Sequence, residues 1–276
     1  MSQLPLFQPK SEWTPPSEFP NLSEHKQICV DLETRDPHLK EKGSGWPRND
    51  GNVIGIAVAT EQDAYYFPIA HQSGGNLDAN VVWRWFKDQM KHSSDKIFHN
   101  AQYDLGWLRK SGVTQINGKI IDTLIAAPLI DENRMSYALN SLGKTYLKER
   151  KDENLLQEAA KQWGVNAKSD LWRLPPQYVG PYAEQDARLT LRLWNHFKNV
   201  LIQDDLTDVF ELEMDLLPCL LDMREKGVPI DLRKADILKK DLEKRELKII
   251  KEIKRQYGVD VEIWAATSVA KVFDIA

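Results

Sequence analysis

The stretch ICVDLET, residues 28–34, decides how the first half of the chain is built. An apolar run ends in two carboxylates, Asp31 and Glu33, with Leu32 between them. In a strand, side chains two apart leave the same face, so both acids point one way. Buried unpaired, they would repel each other, at a cost of several kcal/mol or a raised pKa. The strand therefore needs something that cancels charge at its end. The same tripeptide recurs as Asp241-Leu242-Glu243 in LKKDLEKRELKIIKEIKRQ, a charged stretch with helical spacing. On a helix, positions two apart do not face each other, so that copy reads as solvated helix charge.

Around the first copy the pattern is that of an α/β domain. Residues 27–33 read as a strand, followed by a long loop of turn formers and charges, DPHLKEKGSGWPRNDGN. VIGIAVAT and AYYFPIA, separated by EQD, read as a β-hairpin. NLDANVVWRWFKDQMKH predicts a helix with Asp78 as N-cap. KIFHN predicts a short strand feeding the helix AQYDLGWLRKSG, with Gly112 at its C-terminal end. KIIDTLIAAPLI predicts a strand running into a helix, with Asp122 capping that helix. SYALNSLGKTYL predicts another helix, and two more are expected over 153–163 and 180–201. A β-meander followed by alternating strands and helices implies a mixed central sheet with helices on both faces.

Near residue 203 the composition turns helical. DLTDVFELEMDLLPCLLDMREKG predicts a helix ending at Gly227, and after VPID a long helix is expected over about 233–257. Leu238, Leu242, Ile249, Ile253 and Tyr257 mark one stripe of it. Lys and Arg outnumber Asp and Glu there, so one face is basic. It is either a solvated face or a contact for a phosphate backbone. The organisation expected is a loose N-terminal arm over 1–24, rich in Pro and Ser, an α/β domain over 25–203, and a helical segment over 204–276.

The 276 residues carry a formal net charge of −4, which excludes a protein that grips nucleic acid by bulk positive charge. Any such contact must come from a local groove or from bound metal. Cys29 and Cys219 fit no zinc spacing and read as two buried thiols of a reducing compartment. The sequence contains no signal peptide and no long apolar run, so neither secretion nor a membrane span is expected.

If Asp31 and Glu33 need a cation, other acids must converge on them. Asn100 and Asp104 stand four apart in FHNAQYDL, and Tyr182 and Asp186 stand four apart in PYAEQDARL. Each pair shares a helical face. Taken singly, each has a plain reading. Asn100 suits an N-cap, Asp104 a first-turn acid that the helix dipole favours, Tyr182 a core aromatic and Asp186 a surface charge. In order and together they are far more specific.

Asp31-x-Glu33, Asn100-x-x-x-Asp104 and Tyr182-x-x-x-Asp186 resemble the three exonuclease motifs of the DEDD 3′–5′ exonucleases, tyrosine subclass. In the histidine subclass a His lies five before the last Asp, where this chain has Pro181. HNAQYDLGWL, IIDTLIAAPLIDEN and YAEQDARLTLRLW look like the proofreading domain of family A DNA polymerases, especially phage members, as does the loop DLETRDPHLKEKGSGW. LLPCLLDMREKGVPID and ATSVAKVF are similar to the opening of that family's thumb. The resemblance covers roughly residues 25–275 and implies a ribonuclease H-like fold. The palm, with the polymerase's own carboxylates, would follow beyond residue 276, so no site for nucleotide addition is expected in these residues.

The resemblance implies that the acids are balanced by two divalent ions, Mg²⁺ or Mn²⁺, consistent with an all-oxygen ligand set. It implies that Asp31 bridges both ions, Glu33 and Asp186 complete the first site, and Asp104 holds the second through water. Tyr182 would orient the attacking water; a phenol with pKa about 10 is neutral at pH 7 and poorly suited to act as a full base. The implied substrate is a single-stranded DNA 3′ end, with Tyr103 as stacking platform, Thr34 and Asn100 as contacts to the terminal nucleotide, and Arg134 reaching a phosphate. The implied partners are the remaining polymerase domains, in cis or in trans, and the implied location is the cytoplasm of a bacterium or phage-infected host. Two other readings remain open at this point: a ribonuclease D-like exoribonuclease with the same catalytic set, and a non-catalytic DNA-binding spacer. The presence of all four carboxylates argues against the spacer.

Overall fold

A computed structural model describes residues 8–275. The first strand, β1 (Gln27–Arg35), is the middle of a five-stranded sheet. After it come α1 (Leu39–Lys42), a 3-10 turn at Trp46–Arg48, β2 (Asn52–Ala59), β3 (Ala64–Pro68) and α2 (Ala79–Met90). Next follow β4 (Asp95–Phe98), α3 (Ala101–Lys110), β5 (Ile120–Asp122), α4 (Thr123–Ile130) and α5 (Leu139–Leu142). A π-helical stretch, Gly143–Leu147, precedes α6 (Asn154–Trp163), a 3-10 turn at Leu171–Arg173 and the long α7 (Pro176–Gln203). The chain continues through α8 (Thr207–Lys226), α9 (Leu232–Tyr257) and α10 (Ala266–Ile275). The sheet order is β3-β2-β1-β4-β5, with β1–β2 and β2–β3 antiparallel and β1–β4 and β4–β5 parallel. This is the mixed α/β sheet flanked by helices that the sequence predicts, with a helical C-terminal region.

Period-two alternation along β1 divides two cores. Ile28, Val30 and Leu32 pack with Phe67, Phe86, Leu108 and their neighbours on the α2–α3 face. Cys29 faces the other way, into a core built on α4, α6 and α7. Asp31 and Glu33 share the Cys29 face, and so point toward α7. Small residues let that helix come close: Ala183 and Ala187 of α7 and Ala57 and Ala59 of β2 are all fully buried.

Several elements differ from expectation. The loop after β1 is ordered around Trp46, fully buried with its ring against Gly106, where a Cβ would have no room. The helix expected over 136–147 begins only at Leu139 and passes into the π-helical turn. Helix α7 starts at Pro176, four residues earlier than expected. Pro176 at the first turn needs no amide partner. Pro181 sits inside the helix and leaves the Gln177 carbonyl without its usual donor. The Ser11 hydroxyl donates to that carbonyl at 2.7 Å.

That bond shows how the N-terminal arm is held. The described part of the arm forms no helix or strand, yet it is not loose. The Trp13 ring fills the space beside Gly180, and its Nε1 donates to Glu184 at 2.9 Å. Phe19 stacks on Phe67, and Leu22 is buried with its amide on Gln89. Polar composition suggested freedom; long-range aromatic docking overrides it.

The chain divides into two compact units at Lys226/Gly227. The first unit runs past residue 203, because Phe210, Leu217 and Leu221 of α8 are buried in the two cores. Cys29 is buried as expected, but Cys219 is exposed. It lies midway between Leu217 and Leu221 in sequence and so faces away from their stripe. In the second unit, α9 is capped by Asp231, which accepts from the Lys234 amide, and ends at left-handed Gly258. Leu238, Leu242, Leu247 and Ile249 along it are exposed. Among the described residues, no helix is long and apolar enough to cross a membrane.

Candidate active site

Strand β1 outruns β4. The parallel pairing covers only Gln27 to Cys29, while β1 continues to Arg35. The Leu32 amide, left without a partner strand on that side, donates instead to Asp104 Oδ1 at 3.1 Å. Asp104 lies in the first turn of α3, and this backbone bond holds it against β1 beside Asp31. The register of β1 against β2 shifts between Glu33 and Thr34, a bulge that ends the regular alternation where the site begins.

Asp122 sets the direction of α3. Its carboxylate accepts from the amides of Asn100 (2.9 Å), Ala101 (2.7 Å) and Leu124 (2.8 Å), capping α3 and α4 together. This is the capping role expected of Asp122. Asn100 occupies the N-cap position of α3 in the left-handed region (φ 78°) but makes no side-chain cap bond. Its side chain is exposed beside the site.

From the opposite side, α7 presents Tyr182 and Asp186 one turn apart. The electrostatics tie the four acids together. Burial, then the Asp186 charge, pushes Asp31 up to about 7. Burial, then Asp31 and Asp186, raises Glu33 well above the usual carboxylate range. Burial, then Asp31, raises Asp104, and burial raises Asp186. Tyr182 is raised by burial and by the charges of Asp186, Glu33 and Asp31, so its phenol stays neutral. Sequence elements separated by some 150 positions therefore form one cluster of mutually repelling carboxylates.

One residue missing from the sequence reading belongs to this cluster. Lys151 Nζ lies 2.6 Å from Asp186 Oδ2 and 3.2 Å from the Tyr182 hydroxyl, 4.3 Å from the centre of its ring. Its sequence context, the charged run KERKDE, reads as solvent-facing, so only the tertiary structure reveals it. Asp186 Oδ1 is buried and has no hydrogen-bond partner among the described residues. Among the described residues no group of three or more His, Cys, Asp or Glu side chains is set at metal-ligating distances. The donor chemistry nonetheless fits hard divalent ions: oxygen atoms only, mutual repulsion in need of positive charge, and an orphaned carboxylate oxygen facing inward.

Thr34 and Tyr103 are brought together at the end of β1. Their hydroxyls lie 2.7 Å apart, and the Tyr103 hydroxyl also donates to Asp36 Oδ2 at 3.2 Å. Arg134 stands elsewhere. Its guanidinium bonds Ser141 and Thr145 and lies over the Tyr146 ring, bracing the π-helical turn, and no hydrogen bond among the described residues joins it to the carboxylates.

A mixed sheet carries acids at the end of its central strand, answered by an Asp and a Tyr from the helix packed across it. Residues 18–202 match the family of 3′–5′ exonuclease domains found in family A DNA polymerases, and the chain belongs to that family. A DNA-directed DNA polymerase of Pseudomonas phage M6 is 33% identical over 99% of this chain and 42% of its own length. DNA polymerase I of Borreliella burgdorferi is 26% identical over 76% of this chain and 22% of its own length. The chain thus spans less than half the length of these relatives. In structure, the chain is similar to the POL domain of Pol1 from M. smegmatis (TM-score 0.64, 16% identity, 92% of this chain and 38% of that one). It is also similar to Brucella melitensis NrnC with bound Mg²⁺ (TM-score 0.54, 18% identity, 76% of this chain and 90% of that one). At these identities the likeness is one of fold, and the fold is ribonuclease H-like.

Proposed function

We propose that this domain hydrolyses nucleotides from the 3′ end of single-stranded or frayed DNA, proofreading for a polymerase whose other domains lie in cis or in trans. The observation that carries the reading is the convergence of half-buried Asp31 and Glu33 with buried Asp104 and Asp186 in one cluster of mutually repelling acids. Asp31, Glu33 and Asp186 would hold one divalent ion, and Asp31 with Asp104 a second. When bound, such ions supply the positive charge that stabilises the attacking and leaving oxygens of an in-line displacement.

The chain's own groups do the rest. Tyr182, kept neutral by its surroundings, holds the water that attacks the scissile phosphate through its hydroxyl, without removing a proton itself. Tyr103, steadied by Thr34 and Asp36, would offer its ring as a stacking platform at the end of β1. Asn100, exposed at the start of α3, would contact the terminal nucleotide. Stacking is worth about 1–3 kcal/mol per base and tolerates any base, as proofreading requires. As a proofreading nuclease, the domain would act on unpaired ends. Arg134, engaged with its own segment, has no part in this reading.

The test is single-turnover cleavage of matched DNA and RNA oligonucleotides in Mg²⁺. Stepwise loss from the 3′ end with DNA preferred is expected. Preference for RNA would instead support an exoribonuclease, and no cleavage of either would support a non-catalytic spacer.

A further inference from the structure

The segment between the π-helical turn and α6 carries Lys148, Glu149, Arg150, Lys151, Asp152 and Glu153, a run whose composition suits water. Lys151 nevertheless turns inward. Its side chain is 7% exposed and that of Asp186 9%. An ammonium gives up its hydration at this depth only where anions or oxygen acceptors hold it. Here the anion is Asp186 at 2.6 Å, with the Tyr182 hydroxyl and ring beside it.

The placement is built into the backbone. The Lys151 amide donates to Asn140 Oδ1 at 3.2 Å, and the Asp152 amide donates to Gln185 Oε1 at 3.0 Å. Gln185 is the immediate neighbour of Asp186 on α7, so the segment is anchored to the helix that supplies the acid. A second carboxylate waits nearby: Glu153 Oε1 lies 3.8 Å from Lys151 Nζ and is more exposed.

We propose that Lys151 is a resident counter-cation of the carboxylate cluster, which a divalent ion must displace from Asp186 on entering, with Glu153 receiving the released ammonium. The inference rests on the reading of these carboxylates as metal ligands. An ion coordinates an oxygen at about 2.0–2.1 Å for Mg²⁺. An ammonium on the same carboxylate oxygen would crowd and repel it. The four-carbon stem of lysine can swing while its backbone stays anchored. The device holds the cluster together without metal and weakens metal binding by the cost of moving the ammonium.

The experiment is Mn²⁺ titration by calorimetry into chelator-stripped protein, comparing wild type with Lys151→Met and Lys151→Gln. Two neutral variants are used in case one fails to fold. Both are expected to bind Mn²⁺ tighter by about tenfold or more, because no buried ion pair has to be opened. Both should also melt several degrees lower than wild type without metal, with the difference closing at saturating Mn²⁺. Equal or weaker Mn²⁺ binding by the neutral variants would overturn the counter-cation role while leaving the metal reading intact. Absence of Mn²⁺ binding by all three proteins would overturn the metal reading, and the role with it.

Discussion

The chain contains Asp-Leu-Glu twice, and the two copies behave as different chemistry. At 241–243, on α9, Asp241 pairs with Arg245 at 2.7 Å and Glu243 with Lys239 at 3.8 Å, each one helical turn away and in solvent. At 31–33, on β1, the same letters point together into the space before α7. There burial and repulsion lift Asp31 to about 7 and raise Glu33 well above its usual range. The difference is the period of the backbone: a helix sends i and i+2 apart and offers i+4 partners, whereas a strand aims both acids at one point. A tripeptide thus carries no function by itself; the backbone that holds it supplies the function.

Replacing single acids breaks the comparison most severely. Asp31→Ala is expected to lower 3′–5′ cleavage on the order of thousands-fold, several kcal/mol of transition-state stabilisation. Asp186→Ala should do the same. Their effects on metal-free stability should differ in sign. Losing Asp31 relieves repulsion, so melting should hold or rise. Losing Asp186 strands the buried Lys151 ammonium, so melting should fall. Single-turnover rates and melting curves in chelator check both. Equal behaviour of the two variants in stability would mean that Lys151 and Asp186 are not a pair.

Tyr182→Phe keeps the ring and removes the hydroxyl. If that hydroxyl orients water, cleavage should slow by roughly ten- to a hundred-fold, with Mn²⁺ affinity little changed. An unchanged rate would return Tyr182 to the role of a packing aromatic.

The pH dependence sharpens the comparison further. Asp31 ordinarily titrates at 3.8 and in the folded protein at about 7, so between these values the folded state holds a proton that the unfolded state has lost. Stability therefore falls as pH rises through that window and levels off above it. Glu33 and Asp104, raised in the same direction, act with the same sign. In chelator, wild type should melt lower at pH 8 than at pH 6, and Asp31→Asn should show a smaller drop. Saturating Mg²⁺ should remove the drop, because metal binding favours the deprotonated acids.

The smallest effect belongs to the helical copy. Asp241→Asn removes an exposed i,i+4 pair worth about 0.3–0.5 kcal/mol. Cleavage rate should stay unchanged, and a measurable loss of rate would assign α9 a role in the reaction.

Much of this architecture is legible in the sequence because local rules govern it. Alternation along residues 27–33, the Asp78 cap of α2 and the helix expected over about 233–257 follow from neighbours within a turn or two. The carboxylate set is legible because its members recur in a fixed order with i+2 and i+4 spacings. What escaped depends on distant partners. Pro181 inside α7 is stable because Ser11 satisfies the carbonyl it orphans. The arm docks because Trp13 finds the bare Gly180. Lys151 enters the site because Asn140 and Gln185 hold its backbone there. Nothing within a few residues of any of these announces the contact.

The most direct test of the central claim is a crystal soaked in Mn²⁺ and measured at the manganese edge. The account predicts two anomalous peaks, one between Asp31, Glu33 and Asp186 and one between Asp31 and Asp104, with Lys151 Nζ withdrawn from Asp186. No peak within the cluster at saturating Mn²⁺, with Lys151 still on Asp186, would contradict it.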